Sequence, residues 1–171
     1  IIESCLQSGN IPIAVGGGGI PVVAIEPQKA GDLEQYPCSY DITYQKSLDA
    51  PPAKVYCGVE GVIDKDLSSS LLATSLRERA HRRGEELEVV FVILTDVDGV
   101  KLNYQQPNQE DVRSLNLEEI RELQHSGIFP SGSMGPKVEA VINFLEAGGQ
   151  QAFITNIQVL EQTFSGQAGT R

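Results

Sequence analysis

One uninterrupted apolar run of strand length, Val89 to Leu94, constrains the fold more than any other feature of the sequence. Strands that helices cover on both faces show such continuous runs, whereas a strand with one wet face alternates apolar and polar residues. Helical patterns flank the run, with leucines at helical spacing between Lys65 and Arg83 and an apolar stripe from about Pro136. The pattern predicts an α/β fold, a three-layer α/β/α sandwich with a mainly parallel sheet.

Other segments extend this alternation of strands and helices. Three prolines and three tyrosines interrupt it between residues 26 and 54, which predicts a long loop or lid that holds a short hairpin. Glycines at the ends of the apolar patterns mark helix ends. The further predicted elements are a helix that Gly9 ends, strands at Ile11 to Val15, Ile20 to Ile25, Val100 to Tyr104 and Gln151 to Thr155, and a helix from Leu117 to His125.

Bulk properties narrow the classes of protein. The 171 residues, 40 % of them hydrophobic, suffice for one compact domain, and the net charge of −10 argues against nucleic acid as a partner. Three widely spaced cysteines without a metal-type pattern indicate a reduced, cytoplasmic compartment, and the longest apolar runs are too short to span a membrane. The first residues, Ile1 and Ile2, lack an initiator Met and already resemble one helix face, so we expect a longer parent protein.

Two lysines lie at predicted helix starts, where a positive charge is electrostatically unfavourable. Lys65 and Lys137 are each predicted within the first turn of a helix, where the helix dipole disfavours a cation by up to about 1 kcal/mol. An anion held by both helix N-termini and both ammonium groups would offset that cost, which describes a polyphosphate site. Asp66 has two open interpretations, a helix-start residue or a group that orients the lysines or, through water, Mg²⁺.

Glycines and aspartates follow two of the predicted strands, where ligands of parallel sheets bind. Four consecutive glycines, Gly16, Gly17, Gly18 and Gly19, can bring bare backbone N–H groups close to a phosphate, although a tight turn is a serious rival. Asp96 and Asp98 lie in the turn after the apolar run, where a nucleotide contact and ordinary turn chemistry remain equally open.

Four strings along the chain resemble the carbamate kinases of the amino acid kinase superfamily, in the order of that family. They are Gly16-Gly17-Gly18-Gly19-Ile20-Pro21-Val22, Gly61-Val62-Ile63-Asp64-Lys65-Asp66-Leu67, Ile93-Leu94-Thr95-Asp96-Val97 and Gly132-Ser133-Met134-Gly135-Pro136-Lys137-Val138. The closing Gly166-Gln167-Ala168-Gly169-Thr170 also resembles the family's C-terminal Gly-x-x-Gly-Thr. The resemblance covers most of the chain outside residues 24 to 54.

The resemblance implies phosphoryl transfer between ATP and carbamate, with ATP/ADP and Mg²⁺ as cofactors and a homodimeric parent. Lys137 would bind the transferring phosphoryl group, Lys65 would assist, and Asp66 would organise the two lysines. The nucleotide contacts that it implies are Thr95, Asp96, Val97, Ser133, Met134 and Gly135, with Gly16, Gly17, Gly18 and Gly19 facing the junction between the substrates. Positioning and electrostatics supply most of such catalysis.

The chain departs from the family in two respects. The N-terminal lobe, which carries most of the carbamate or carbamoyl phosphate site, is absent, so residues 1 to 171 correspond to the C-terminal nucleotide-binding portion and should not turn over alone. The insertion at about residues 26 to 54 is longer than the family's usual connection. Two alternatives stay open: another phosphotransferase of the superfamily, or a catalytically silent nucleotide-binding regulatory module.

Overall fold

A computed structural model describes residues 2–14, 21–25, 41–42, 55–130 and 132–171. The chain divides into two compact units, Ile1–Ala14 with Lys65–Arg171, and Val15–Asp64. In chain order the elements are α1 (Ile2–Gln7), β1 (Val22–Ile25), β2 (Asp41–Ile42), β3 (Val55–Gly58), α2 (Lys65–Arg82), β4 (Val90–Thr95), β5 (Lys101–Leu102), β6 (Glu110–Asp111), α3 (Leu117–His125), α4 (Met134–Glu146), β7 (Gln151–Asn156) and α5 (Leu160–Phe164), with a 3₁₀ turn at Ile157–Val159. Within the described ranges, no helix combines the length and apolar character needed to cross a bilayer.

The smaller unit contains an antiparallel sheet in the order β1, β3, β2. Val22 lies opposite Gly58, and Asp41 lies opposite Cys57. The predicted strand from Ile20 is therefore found from Val22 onward, and β2 falls inside the predicted long loop. The rest of that loop and the run Gly16 to Gly19 lie outside the described residues.

The larger unit is built on a parallel pair of strands, β4 and β7, in which Ile93 lies opposite Ile154. One face packs against α2 and α4, and the rings of Phe91 and Phe144 lie 5.3 Å apart there. Successive strand residues point to opposite faces, so Phe153 points to the other side, where its ring meets Phe164 of α5 at 5.3 Å. Helices thus lie on both sides of a parallel sheet, which confirms the predicted α/β class.

Local chemistry marks the ends of the helices, and most of these ends lie where the sequence predicts. At the start of α3, the Asn116 side chain accepts hydrogen bonds from the Glu118 and Glu119 backbone N–H groups, while the Glu119 carboxylate accepts from the Asn116 N–H. Gly84 and Gly148 adopt φ of +74° and +88° just after α2 and α4. Glycine enters this left-handed region at little cost, so both helices terminate there.

Two predictions about strands are wrong. Residues 11–14 form no strand, and the side chains of Ile11 and Ile13 are 93 % and 100 % exposed. The run Val89 to Leu94 is buried on one face only, with Val90 and Leu94 43 % and 48 % exposed. An apolar pattern reports a tendency to be covered but not what covers it. Among the described residues, α5 contacts β7 and leaves the outer face of β4 open.

Candidate functional site

Three charged side chains meet where α2 and α4 begin. The Lys137 ammonium donates to Asp66 Oδ2 at 2.8 Å, and the Lys65 ammonium approaches the same oxygen at 3.4 Å. The Lys137 and Asp66 side chains are only 12 % and 11 % exposed, whereas Lys65 is 62 % exposed. The predicted pair of helix-start lysines therefore comes together around one carboxylate.

The positions of this cluster follow from how the two helices pack. The helices α2 and α4 lie side by side over the sheet, with Asp66 in the first turn of one and Lys137 in the first turn of the other. The helix α4 starts at Met134, two residues before the predicted start near Pro136. Lys137 still falls within its first turn.

The cluster carries excess positive charge in an acidic chain. Two ammonium groups share one carboxylate, and two helix N-termini add partial positive charge. The N-terminus of α3 is closed by its capping box, but Ser133 at the start of α4 makes no side-chain capping hydrogen bond. The dipole of a helix start beside a lysine attracts an anion, although here the Gly135 N–H is already bonded to the Pro130 carbonyl.

A cavity of about 370 Å³ opens beside Lys137, beyond the carboxyl end of β4. Of the residues predicted from the sequence to contact a nucleotide, five line it: Thr95, Asp96, Val97, Ser133 and Met134. Polar and apolar groups therefore converge at the edge of the sheet where parallel α/β proteins bind ligands.

Other predicted site residues lie elsewhere. Lys65 and Asp66 do not line the cavity. Asp66 is connected to it by its hydrogen bond to Lys137, which does line it. Gly135 is buried, and its N–H donates to the Pro130 carbonyl at 2.9 Å. A side chain there would stand 2.9 Å from the same oxygen, so Gly135 permits a close backbone approach. The run Gly16 to Gly19 lies outside the described residues.

The sequence reasoning missed one wall of the cavity, the hairpin formed by β5 and β6. Its contributions are Lys101, Asn103, Tyr104 and Gln106, and a further segment adds Ile128, Phe129 and Pro130. Lys101 also donates to Asp111 at 2.5 Å, and this hydrogen bond lowers the pKa of that carboxyl below its usual range. An aromatic residue and amides just after the Thr95 to Gly99 turn were the available signal.

A second cavity of about 450 Å³ lies at the opposite end of the parallel strands, near the starts of α3 and β7. It contains none of the predicted site residues. Within the described ranges, no group of three or more His, Cys, Asp and Glu side chains is arranged to hold a metal ion. The charged cluster and the smaller cavity together are therefore the candidate site.

The chain is similar to known carbamate kinases. It is 39 % identical over 170 residues to a carbamate kinase of Thermoplasma acidophilum, covering 99 % of this chain and 44 % of that protein. A solved structure of Giardia carbamate kinase superposes with a TM-score of 0.67 at 31 % identity, over 99 % of this chain and 46 % of that one. A carbamate kinase from Giardia lamblia bound to AMP-PNP gives a TM-score of 0.58 at 39 % identity, over 68 % of this chain and 34 % of that one.

These findings confirm the resemblance that the sequence motifs indicated. The chain spans less than half the length of these relatives. The family model described as "Amino acid kinase family" matches residues 50–156, which hold α2, β4, α4 and every residue that lines the cavity. The chain belongs to the amino acid kinase family.

Proposed function

We propose that this chain is the C-terminal, nucleotide-binding portion of a carbamate kinase and supplies its ATP/ADP site. The reaction is ATP + carbamate ⇌ ADP + carbamoyl phosphate, in which one phosphoryl group moves between two oxygen acceptors. The observation that carries the proposal is the Lys137 ammonium, held 2.8 Å from Asp66 at the wall of the cavity beyond β4. The identity of the acceptor, carbamate, is inferred from relatives that are named carbamate kinase.

Lys137 is the residue that binds the phosphoryl group in transfer. Its side chain is mostly buried, so its charge is screened little by water and acts strongly on a phosphate nearby. It lies in the first turn of α4, whose helix dipole attracts the same anion. Charge spreads over the oxygens of a phosphoryl group in transfer, and a fixed cation stabilises it without moving.

Asp66 and Lys65 complete the cluster. Asp66 fixes the position of the Lys137 ammonium and prevents two cations from repelling each other without compensation. Lys65 is exposed and 3.4 Å from the carboxylate, so it can turn from Asp66 toward a bound phosphate. The trio retains a net positive charge, which suits a substrate that brings several negative charges.

The nucleotide itself occupies the cavity, with its phosphates toward Lys137 and its base toward the apolar side formed by Ile128, Phe129 and Pro130. Thr95, Asp96, Val97, Ser133 and Met134 are its contacts in this proposal. Mg²⁺ binds mainly through nucleotide phosphates and water, with few protein carboxylates, so in this proposal it enters the site with the nucleotide. When bound, it would neutralise phosphate charge.

In this proposal the acceptor side of the reaction lies outside the 44 % of the Thermoplasma acidophilum protein that this chain covers. We therefore expect nucleotide binding, but no turnover, from the 171-residue chain. The glycine run Gly16 to Gly19 stays a prediction for the junction between the substrates. A homodimeric parent is likewise a proposal from the resemblance.

Calorimetric titration of the 171-residue chain with Mg-AMP-PNP, which carries the γ-phosphoryl group that ADP lacks, tests the proposal. The chain should bind, and Lys137→Ala should weaken binding about 100-fold, because the loss of a buried ammonium removes a charge-assisted phosphate contact worth about 3 kcal/mol. Arg82→Ala is the control, since Arg82 is 74 % exposed and pairs with Glu78 on the far half of α2. It should leave the affinity unchanged.

Equal affinities for the unsubstituted 171-residue chain and for Lys137→Ala would refute the phosphate site. If the 171-residue chain binds Mg-AMP-PNP as expected but the complete protein phosphorylates another acid and not carbamate, the nucleotide site stands and a different phosphotransferase of the family is favoured. The acceptor and the nucleotide site are thus tested separately.

A further inference from the structure

The hairpin that forms one wall of the cavity is held at its base by one direct strand bond and by one buried hydroxyl. Thr170 Oγ1 accepts a hydrogen bond from the Val100 N–H at 2.7 Å and donates one to the Val112 carbonyl at 2.5 Å. The Val112 N–H donates directly to the Val100 carbonyl at 3.0 Å. Val100 and Thr170 are buried, so these polar groups depend on one another for partners.

This arrangement replaces one bond of an ordinary strand pair. Lys101 lies opposite Asp111, so Val100 and Val112 are the next pair along the hairpin. In an antiparallel ladder such a pair exchanges two direct N–H to carbonyl bonds. Here one bond is direct and the other passes through the Thr170 hydroxyl, which spreads the base of the hairpin.

Thr170 is itself anchored to the central sheet. Its N–H donates to the Ile154 carbonyl at 2.9 Å, and its carbonyl accepts from the Ile154 N–H at 3.0 Å. The turn before the hairpin presses against it, because a side chain on Gly99 would stand 2.7 Å from Thr170 Oγ1. The hydroxyl therefore links β7 to the hairpin, beside the main-chain hydrogen bonds of Arg171 with Arg113 and Leu115 just after β6.

Beyond its base, the hairpin is braced by its own hydrogen bonds. The Asn103 amide donates to the Asn108 carbonyl at 3.2 Å, and the Gln105 N–H donates to the Gln109 side chain at 2.9 Å. These two hydrogen bonds tie the two sides of the loop to each other. Tyr104 at its tip belongs to the cavity wall and would move with it.

We infer that Thr170 is a positioning residue for the nucleotide, which sets the cavity wall by holding the hairpin open at its base. The inference rests on the proposed function and deepens it by assigning a role to the Gly166 to Thr170 segment. The segment contacts the hairpin and the sheet and does not line the cavity, so its effect on the nucleotide is indirect.

Thr170→Val tests the inference, since valine keeps the shape but cannot relay the two hydrogen bonds. In the 171-residue chain we expect Mg-ADP to bind about tenfold more weakly and the Val100 amide to exchange its hydrogen faster without nucleotide. Thr170→Ser retains the hydroxyl and should restore both. Asn116→Ala removes the α3 cap, lowers stability by a comparable amount, and should leave the affinity unchanged.

Unchanged affinity in Thr170→Val would overturn the inference, as would an equal loss in Asn116→Ala, which would reduce Thr170 to a general stabilising residue. If the unsubstituted 171-residue chain does not bind Mg-ADP, the proposed function fails. The Val100 exchange rate would still decide whether the hydroxyl holds the hairpin, because that measurement needs no ligand.

Discussion

Replacing Asp66 with Asn tests whether the buried contact to Lys137 is a true ion pair that organises the site. The two side chains are 11 % and 12 % exposed and 2.8 Å apart. Removal of one partner from a buried pair leaves the other charge uncompensated, which costs about 3 kcal/mol or more. We expect Asp66→Asn to lower the free energy of unfolding of the 171-residue chain by about that amount, as measured by urea unfolding with circular dichroism.

The two lysines provide a matched comparison, because both contact the same carboxylate oxygen. A double-mutant cycle of Asp66→Asn with Lys137→Met should give a coupling energy of about 3 kcal/mol. The cycle with Lys65→Met should give less than about 1 kcal/mol, because Lys65 is 62 % exposed and its pair is screened by water. Equal couplings, or additive effects in both cycles, would refute the distinction between the buried Asp66–Lys137 pair and the exposed Lys65.

Two further predictions concern the surroundings of the site. Gly135→Ala should destabilise the start of α4 by about 1–3 kcal/mol in urea unfolding, since the new methyl would stand 2.9 Å from the Pro130 oxygen, whereas Gly132→Ala meets no atom within 4 Å and should be neutral. Lys101→Met should raise the pKa of Asp111 toward its usual value, as followed by carboxyl NMR titration. Because pairing lowers the folded-state pKa of Asp111, its stabilising contribution is present above about pH 4 and is lost as the pH falls through the folded-state pKa; an unchanged pKa in the variant would rule the pairing out.

Local patterns predicted the helices and the central strand pair well. Helix ends depend on residues within a turn of the end, such as the glycines at 84 and 148, and so can be recognised without knowing the fold. The same holds for β4 and β7, whose apolar character marks them as core strands. The strand predicted from Ile11 to Val15 is wrong over its described residues 11–14, because a strand needs a neighbouring edge and none of the described residues pairs with them.

For the site, the sequence predicted the participants of the cluster but not their distances. A lysine in the first turn of a helix is visible as a local conflict with the helix dipole. That Asp66 and Lys137, 71 residues apart, share a hydrogen bond is decided by the packing of α2 against α4. The hairpin wall was missed for the same reason, since its place beside the cavity depends on Thr170, 70 residues after Val100.

The sequence alone thus determined the α/β class, most helix boundaries and the family's motif residues, because each depends on composition and spacing along the chain. Tertiary structure alone decided which charges are buried, which face of β4 is covered and which segments line the cavity. Burial and electrostatic strength depend on what surrounds a group in space, and contacts between distant segments supply that surrounding. The charged cluster at the starts of α2 and α4 joins the two kinds of information, with residues recognisable in sequence and a geometry set by the fold.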